Sequence, residues 1–400
     1  MSECVATTMI TGRRRHFLPA AALACAAALL LAGCGALSIE GSGEAKALAP
    51  QADARWFKLP TTAYAGKQDD IFFVDANTGF YGNGAGKIYK TVDGGHTWQL
   101  VLNRPGTFIR ALGFIDAQTG FAGNIGTDYF PGVSDTTPLY RTTDGGASWN
   151  AVTTPGGAAL KGLCAIDVLH SNFVNAGKLD RRTLIHAAGR VGGPAWLLRS
   201  LDGGATWQSI DMNAHLAAIT DVKFFDAMNG VVLGGDDADI KRSHAVVLST
   251  SDGGLHWVRR YVSARPYQLA WKASFPSRQV GYVTVQDYNP DKTVSTRVLA
   301  KTDDGGLHWR DIAMVDDAAV RQFGVGFVDA RTGWVGTSAG GFATSDGGDH
   351  WQRVELGRYA NKIRIVADGE RYVAYAIGQD VFKFGTAPAP ALAKPTAATP

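Results

Sequence analysis

Glutamate is nearly absent from this chain: of 400 residues five are Glu, and only Glu355 and Glu370 fall beyond position 53. Cysteine is as scarce, with four residues, Cys4, Cys25, Cys34 and Cys164. The first two lie in an N-terminal leader and the third has another fate, so no disulfide can form within the mature chain. Cys164 sits in the apolar strand pattern "GLCAIDV" and reads as core. The nine histidines are scattered, with no H-x-H or H-x3-H pair, which excludes an evident zinc or copper site. No Gly-rich stretch leads from a strand into a helix, so "GGPAW" and "DGG" are turns and no cofactor is expected. Large charge of either sign is also missing. Removing residues 1–33 takes away three Arg and one Glu, so 39 − 3 = 36 basic residues face 36 − 1 = 35 acidic ones. A balance of +1 leaves no electrostatic footprint for nucleic acid.

The N-terminus carries an address. Arg13, Arg14 and Arg15 precede the apolar run "FLPAAALACAAALLLAGC", too short and Ala-rich for a membrane span. "RRHFL" fits a twin-arginine export signal as well as an ordinary secretory one. "LAGC" resembles the bacterial lipobox, which makes Cys34 the expected lipid attachment point, and Gly35 after it favours the outer membrane in a Gram-negative cell. The expected organisation is a lipoprotein signal peptide (1–33), a flexible tether (34–53), a folded region (54–385) and a Pro/Ala-rich tail, "TAPAPALAKPTAATP", in 386–400. The mature protein is expected outside the cytoplasm, anchored in the cell envelope.

What the chain has in abundance is one repeated phrase. "YKTVDGGHTW" (89–98) returns as "YRTTDGGASW", "LRSLDGGATW", "LSTSDGGLHW", "AKTDDGGLHW" and "FATSDGGDHW", placing Trp at 98, 149, 207, 257, 309 and 351. The intervals, 42–58 residues, indicate a solenoid, array or propeller. Unit two shows the grammar: "FIRALGFID" alternates as a strand, "GFAGNI" is a second, "PLYRTT" a third and "WNAVTT" a fourth. Four short strands and no helix is the content of one propeller blade. A second signature, "VDANTGF", "IDAQTGF", "FDAMNGV" and "VDARTGW", marks the turn between first and second strands, with 275–282 a loose copy and 168–177 a poor one.

First strands, read near Ile71, Leu112, Leu163, Val222, Ala273, Val325 and Ile363, number seven. The seventh unit has three strands and no box, whereas "RWFKLP" (55–60) resembles the strands that follow each box. The fold expected is therefore all-β, a seven-bladed propeller of four-stranded antiparallel blades. The N-terminal strand closes the last blade and removes open edges. Trp56 should stand in for the missing box Trp.

Each box reads as a structural staple. Its Asp (Asp93, Asp144, Asp202, Asp252, Asp304, Asp346) can accept hairpin amides, its glycines admit left-handed angles, and its Trp (Trp98, Trp149, Trp207, Trp257, Trp309, Trp351) can pack between blades. One carboxylate per box is too few for Ca²⁺, which takes six to eight oxygens.

The [ST]-x-D-G-G-x-x-W box in four-stranded units resembles the Asp-box (BNR-repeat) propellers, which include sialidases, other glycoside hydrolases and non-enzymatic adaptors. Its pairing with "F-x-D-x-x-TG-[FW]" resembles the photosystem II assembly-factor family over residues 55–385. That resemblance implies an exported, often lipidated seven-bladed protein that binds partner proteins without catalysis. The partner itself does not carry over. A sialidase-like glycoside hydrolase and a carbohydrate-binding lectin are the alternatives. Against the first stand the missing "[FY]-R-I-P" entry motif and the placement of Glu355 after a box and Glu370 in a hairpin turn.

A protein-binding surface is expected on the loops between second and third strands and between blades: 124–138, 177–195, 234–245 and 285–297. Basic residues recur where inner strands begin, at Arg110, Lys161, Lys272, Arg321 and Lys362, with Arg104, Arg265 and Arg358 in adjoining loops. Either they are solvated loop charges or they form a patch for an acidic or C-terminal segment. Tyr129, Tyr267, Trp271, Tyr288 and Tyr359 lie nearby as candidate anchors. The expected partners are membrane proteins, met by a monomer.

Overall fold

The computed structural model describes residues 37–38, 48–62, 64–155, 159–175 and 178–387, and contains no α-helix among them. The expected signal peptide, Cys34 and nearly all of the expected C-terminal tail lie outside the described residues. Seven sheets of four antiparallel strands follow one another along the chain. Each uses its strands in sequence order, as in blade 1 (Gln68–Phe73, Gly79–Asn83, Lys87–Thr91, Gln99–Asn103). Blade 7 contains Lys362–Asp368, Arg371–Ile377 and Val381–Gly385, and its fourth strand is Arg55–Lys58, with Trp56 opposite Phe384. First strands of blades 4 to 7, and those of blades 7, 1 and 2, lie against each other in order and wall a central channel. The fold is a seven-bladed β-propeller latched by its own N-terminal strand.

Closure extends further back than the expected boundary. Ala49–Pro50 pairs in parallel with Arg371–Tyr372, and Gln51 bonds Asp368 and the Thr386 amide. Residues 48–53, read from sequence as tether, are thus held to blade 7. Residues 37–38, 172–175 and 178–180 belong to a separate small unit in which Leu37 pairs with Val174 and Ser38 with Phe173.

Seven hydrophobic clusters recur in one plan. In each, a box Trp meets the residue three positions after the Trp of the preceding blade: Val101 with Trp149, Val152 with Trp207, Ile210 with Trp257, Ile312 with Trp351. In blade 4 a register shift skips Arg260, and Tyr261 takes that place beside Trp309. The last two clusters close the ring: Val354 with Trp56, and Leu59 with Trp98. Trp56, lacking a box, meets Trp334 edge-on and Phe384 of its own blade at a tilt, both at 5.5 Å. Five box Trp rings meet the Phe at the end of their own first strand, as Trp149 meets Phe114 at 6.1 Å and 89°, whereas Trp207 meets Phe121 of blade 2.

The boxes are self-contained turns. Both glycines of every box have φ between +67° and +97°, which side chains with a Cβ avoid. In blade 2 the Asp144 carboxylate accepts the Ser148 amide (2.9 Å) and hydroxyl (2.6 Å) and the Thr142 hydroxyl (2.8 Å). Those hydrogen bonds, from Ser148 first, hold Asp144 down to about 2. A Cβ on Gly95 would stand 2.6 Å from Leu59, so the second box glycine also lets the closing strand approach.

Blade 3 departs from the sequence reading. Residues 168–175 of the poor turn and 178–189 of the long loop are instead strand, within Ala165–Asn175 and Lys178–Gly189. No Asp-x-x-Thr-Gly turn interrupts 168–175, so the first strand continues.

Candidate docking site at the mouth of the channel

The inner strands begin earlier than their alternation suggests, at Gln68, Ile109, Ala218, Gln268 and Gln322. In these five the register shifts near the start, passing over Asp69, Arg110, Thr220, Trp271–Lys272 and Phe323–Gly324. A bulge breaks the two-residue period and re-aims a side chain. The result is a plug of polar and aromatic groups across the channel. Asp69 pairs with Arg110 and with Lys67 (2.7 Å). Arg110 lies 5.2 Å over the Trp271 ring, whose Nε1 donates to Asn361. Phe323 meets Trp271 edge-on, and Tyr359 meets Phe323.

Carboxylates in the channel are committed to the scaffold. Asp70 accepts the Leu112 amide, Asp167 the Phe224 amide and Asp221 the Ala273 amide, each from the next blade's first strand. These bonds tie neighbouring blades where the ladder itself cannot reach. Glu355 accepts the Gly357 amide in an exposed loop, and Glu370 lies in the turn after Asp368, both away from the channel.

Above the plug, a cavity of about 230 Å³ is lined by Tyr129, Val191, Ile240, Leu269 and Tyr288, with Asp237 at one side. Its walls are held rigidly. Buried Arg297 donates to the carbonyls of Val294, Ala318 and Val320, fixing the 288–295 loop. Asp135 accepts the Thr107 and Tyr140 hydroxyls, fixing the 125–138 loop, and Asp237 grips Arg242 twice. Such fixed loops reduce the ordering cost of binding.

The eight basic residues singled out from sequence divide into three groups. Arg321 and Arg358 are at the mouth: the Arg321 guanidinium lies 4.1 Å from the Tyr288 ring centre, and Arg358 lies 5.3 Å from that of Tyr359. Neither makes an ion pair among the described residues. Burial pushes Tyr288 up to about 12, with Arg321 opposing, so its phenol stays neutral and donates to Gln286. Arg110, Lys272 and Lys362 point into the channel, where Lys272 and Lys362 share Asp221 at 3.7 and 3.3 Å. Arg110 and Lys272 are buried, so no partner can touch them from the surface. Arg104, Arg265 and Lys161 go elsewhere: Arg104 stacks on Tyr140, Arg265 pairs with Asp287, and Lys161 with Asp128.

Of the expected aromatics, Tyr129, Tyr288 and Tyr359 are at the mouth and Trp271 is in the plug. Tyr267 and Tyr359 are held at φ 66° and 57°, a left-handed conformation costly for a bulky side chain. Lys67, Asp69 and Phe323 escaped the sequence reading, although the polar start "KQDD" of an inner strand could have indicated the first two.

No family model matches the chain. Among characterised proteins it is similar to a xyloglucanase of Paenibacillus sp, 30% identical over 138 residues. The match takes in 34% of this chain and 12% of that enzyme, so the chain spans only a small part of the relative's length. Among solved structures, YCF48 bound to a D1 peptide superposes with a TM-score of 0.57 at 18% identity, over 87% of this chain and 100% of that one. YCF48 from Cyanidioschyzon merolae gives 0.56 at 16%, over 82% and 98%. The GH74 xyloglucanase from Xanthomonas campestris gives 0.58 at 15%, over 81% of this chain and 52% of the enzyme. At these identities the likeness establishes the β-propeller fold.

Proposed function

We propose that this chain is a non-catalytic, protein-binding propeller of the Asp-box, photosystem II assembly-factor type. Lipid-anchored through Cys34 in the bacterial envelope, it holds a segment of a membrane protein during assembly of a complex. The observation that carries the reading is the mouth. Two arginines without ion-pair partners among the described residues lie on Tyr288 and Tyr359 beside a preformed apolar cavity. Aromatic and arginine anchors around a pocket are the composition of interface hot spots. A bound D1 peptide in the YCF48 structure is consistent with a propeller of this shape acting as a peptide holder.

The test is affinity capture from detergent-solubilised membranes, comparing wild type with Arg321→Glu/Arg358→Glu. The reading expects specific membrane proteins with wild type and their loss with the variant. Identical captured proteins from both would refute the mouth as the docking surface.

A second reading, a glycoside hydrolase, is favoured by the xyloglucanase similarity. It requires two carboxylates about 5–10 Å apart and free to act, whereas Asp70, Asp167 and Asp221 each hold a backbone amide. Enzyme-dependent release of reducing sugar from xyloglucan would establish it.

A further inference from the structure

We propose that the channel end opposite the mouth is a binding site for a small multiply charged anion, a phosphate- or carboxylate-bearing metabolite, gripped by Lys362, Lys223 and Arg364. This end holds a second cavity of about 260 Å³, walled by the inner strands of blades 3 to 7. It falls below the ~300–1,000 Å³ of sites for drug-sized ligands, which suits a small metabolite. All three cations line it, together with Asp167 and Asp221.

Charge bookkeeping gives the ligand its sign. Lys272 and Lys362 share a single carboxylate, Asp221, so whenever both are protonated one ammonium in the pair has no counter-charge of its own. Asp221 is further committed to the Ala273 amide, and Asp167 to the Phe224 amide and Lys223. Lys362 carries three N–H donors, of which Asp221 takes one, at 3.3 Å. The Lys362 side chain is 11% exposed, so water replaces the missing acceptors poorly. An anion in the cavity would supply the missing charge and accept the remaining donors, and charge-assisted bonds of this kind are the strong ones. Arg364 is braced for the task, donating through Nε to the Ile71 carbonyl and reaching Asp70 at 3.4 Å.

The surroundings predict a coupling. Lys272 is brought down to about 7, first by burial and then by Lys362 and Arg110, with Asp221 and Cys164 opposing. An anion beside Lys362 would raise the proton affinity of Lys272, so binding takes up protons and strengthens as pH falls from 8 to 6.

The experiment is isothermal titration of the folded protein with sulfate and with thiosulfate, both doubly charged throughout pH 6 to 8, against chloride at matched ionic strength, in two buffers of different ionisation enthalpy. The expected result is saturable binding of at least one probe with net proton uptake near pH 7. Lys362→Met and Lys223→Gln should each weaken it by about tenfold or more, with folding checked by thermal denaturation. Both leave Asp221 paired with Lys272. Absence of saturable binding beyond chloride, or variants that bind as tightly as wild type, overturns the site. Because the mouth plays no part, Arg321→Glu should bind the probes as wild type does, and equal loss there would also overturn the assignment.

Discussion

His186 is the most informative place to perturb this fold. At three blade interfaces a second-strand ring stacks on the Phe that ends the next blade's first strand: Phe80 on Phe114, Tyr282 on Phe327, Tyr375 on Phe73. Between blades 3 and 4 that ring is His186, stacked on Phe224 at 3.5 Å and 4°, fully buried, with neither nitrogen bonded. Burial, reinforced by Arg199 and Lys223 against Asp167, brings its folded pKa from 6.5 down to about 3. A depressed base is neutral when folded, so between pH 6.5 and 3 the unfolded chain binds more protons and stability falls as pH falls. The slope is about 1.4 kcal/mol per pH unit, which amounts to a loss of about 2 kcal/mol at pH 5 and about 3 kcal/mol at pH 4. His186→Phe supplies the kind of ring used at those three interfaces, removes two unpaired nitrogens and abolishes this slope. We expect it to stabilise at pH 7.5 by about 1–3 kcal/mol, and by about 2 kcal/mol more at pH 5. Urea unfolding followed by Trp fluorescence at pH 7.5, 6, 5 and 4 measures both proteins, and the other titrations cancel in the difference. A difference that stays constant with pH would refute the argument.

The remaining expectations concern closure, the plug and the boxes. Trp56→Ala should cost about 3 kcal/mol, the low end for buried Trp truncations because Trp56 is half-buried, and deleting residues 48–58 should prevent cooperative unfolding altogether; a deletion that unfolds like wild type contradicts the latch. Arg110→Met leaves Asp69 with only Lys67 and should cost about 3–5 kcal/mol, whereas Arg110→Met/Asp69→Leu should recover most of it; a double mutant no better than the single one contradicts the pairing. Asp144→Asn should lower the unfolding midpoint of wild type at pH 7. Because its folded pKa is depressed, the Asp144 contribution is present above the ordinary Asp range and fades as pH falls towards about 2. An Asn variant that matches wild type at pH 7 contradicts the staple.

Blade number, box turns and the closing strand were legible because they rest on local rules: two-residue alternation, glycine at positive φ, and Trp at a fixed offset. Trp56 and Leu59 repeat the offset of Trp98 and Val101, so even the missing box did not hide the seventh blade. The channel was less legible. Arg110 falls in "FIRALGFID", whose alternation marks a strand, but nothing in the sequence shows the bulge that turns its guanidinium into the channel. Lys272 is hidden by a bulge in the same way. Their partners, Asp69 and Asp221, come from other blades, and no local pattern encodes a contact across a ring. Blade 3 was misread for the converse reason: where the turn signature fades at 168–177, nothing in the sequence says whether the strand stops. At the mouth, Arg321 and Tyr288 could be named separately, but their stacking depends on the loop that Arg297 holds in place.

Site-specific photocrosslinking in membranes tests the central claim, that the mouth engages a protein partner, most directly. A benzophenone amino acid is placed in turn at Tyr129 on the mouth, 41% exposed, and at Leu255 in a box turn, 62% exposed. The account predicts discrete crosslinked membrane proteins from Tyr129 and none from Leu255. Adducts from Leu255 alone would contradict it.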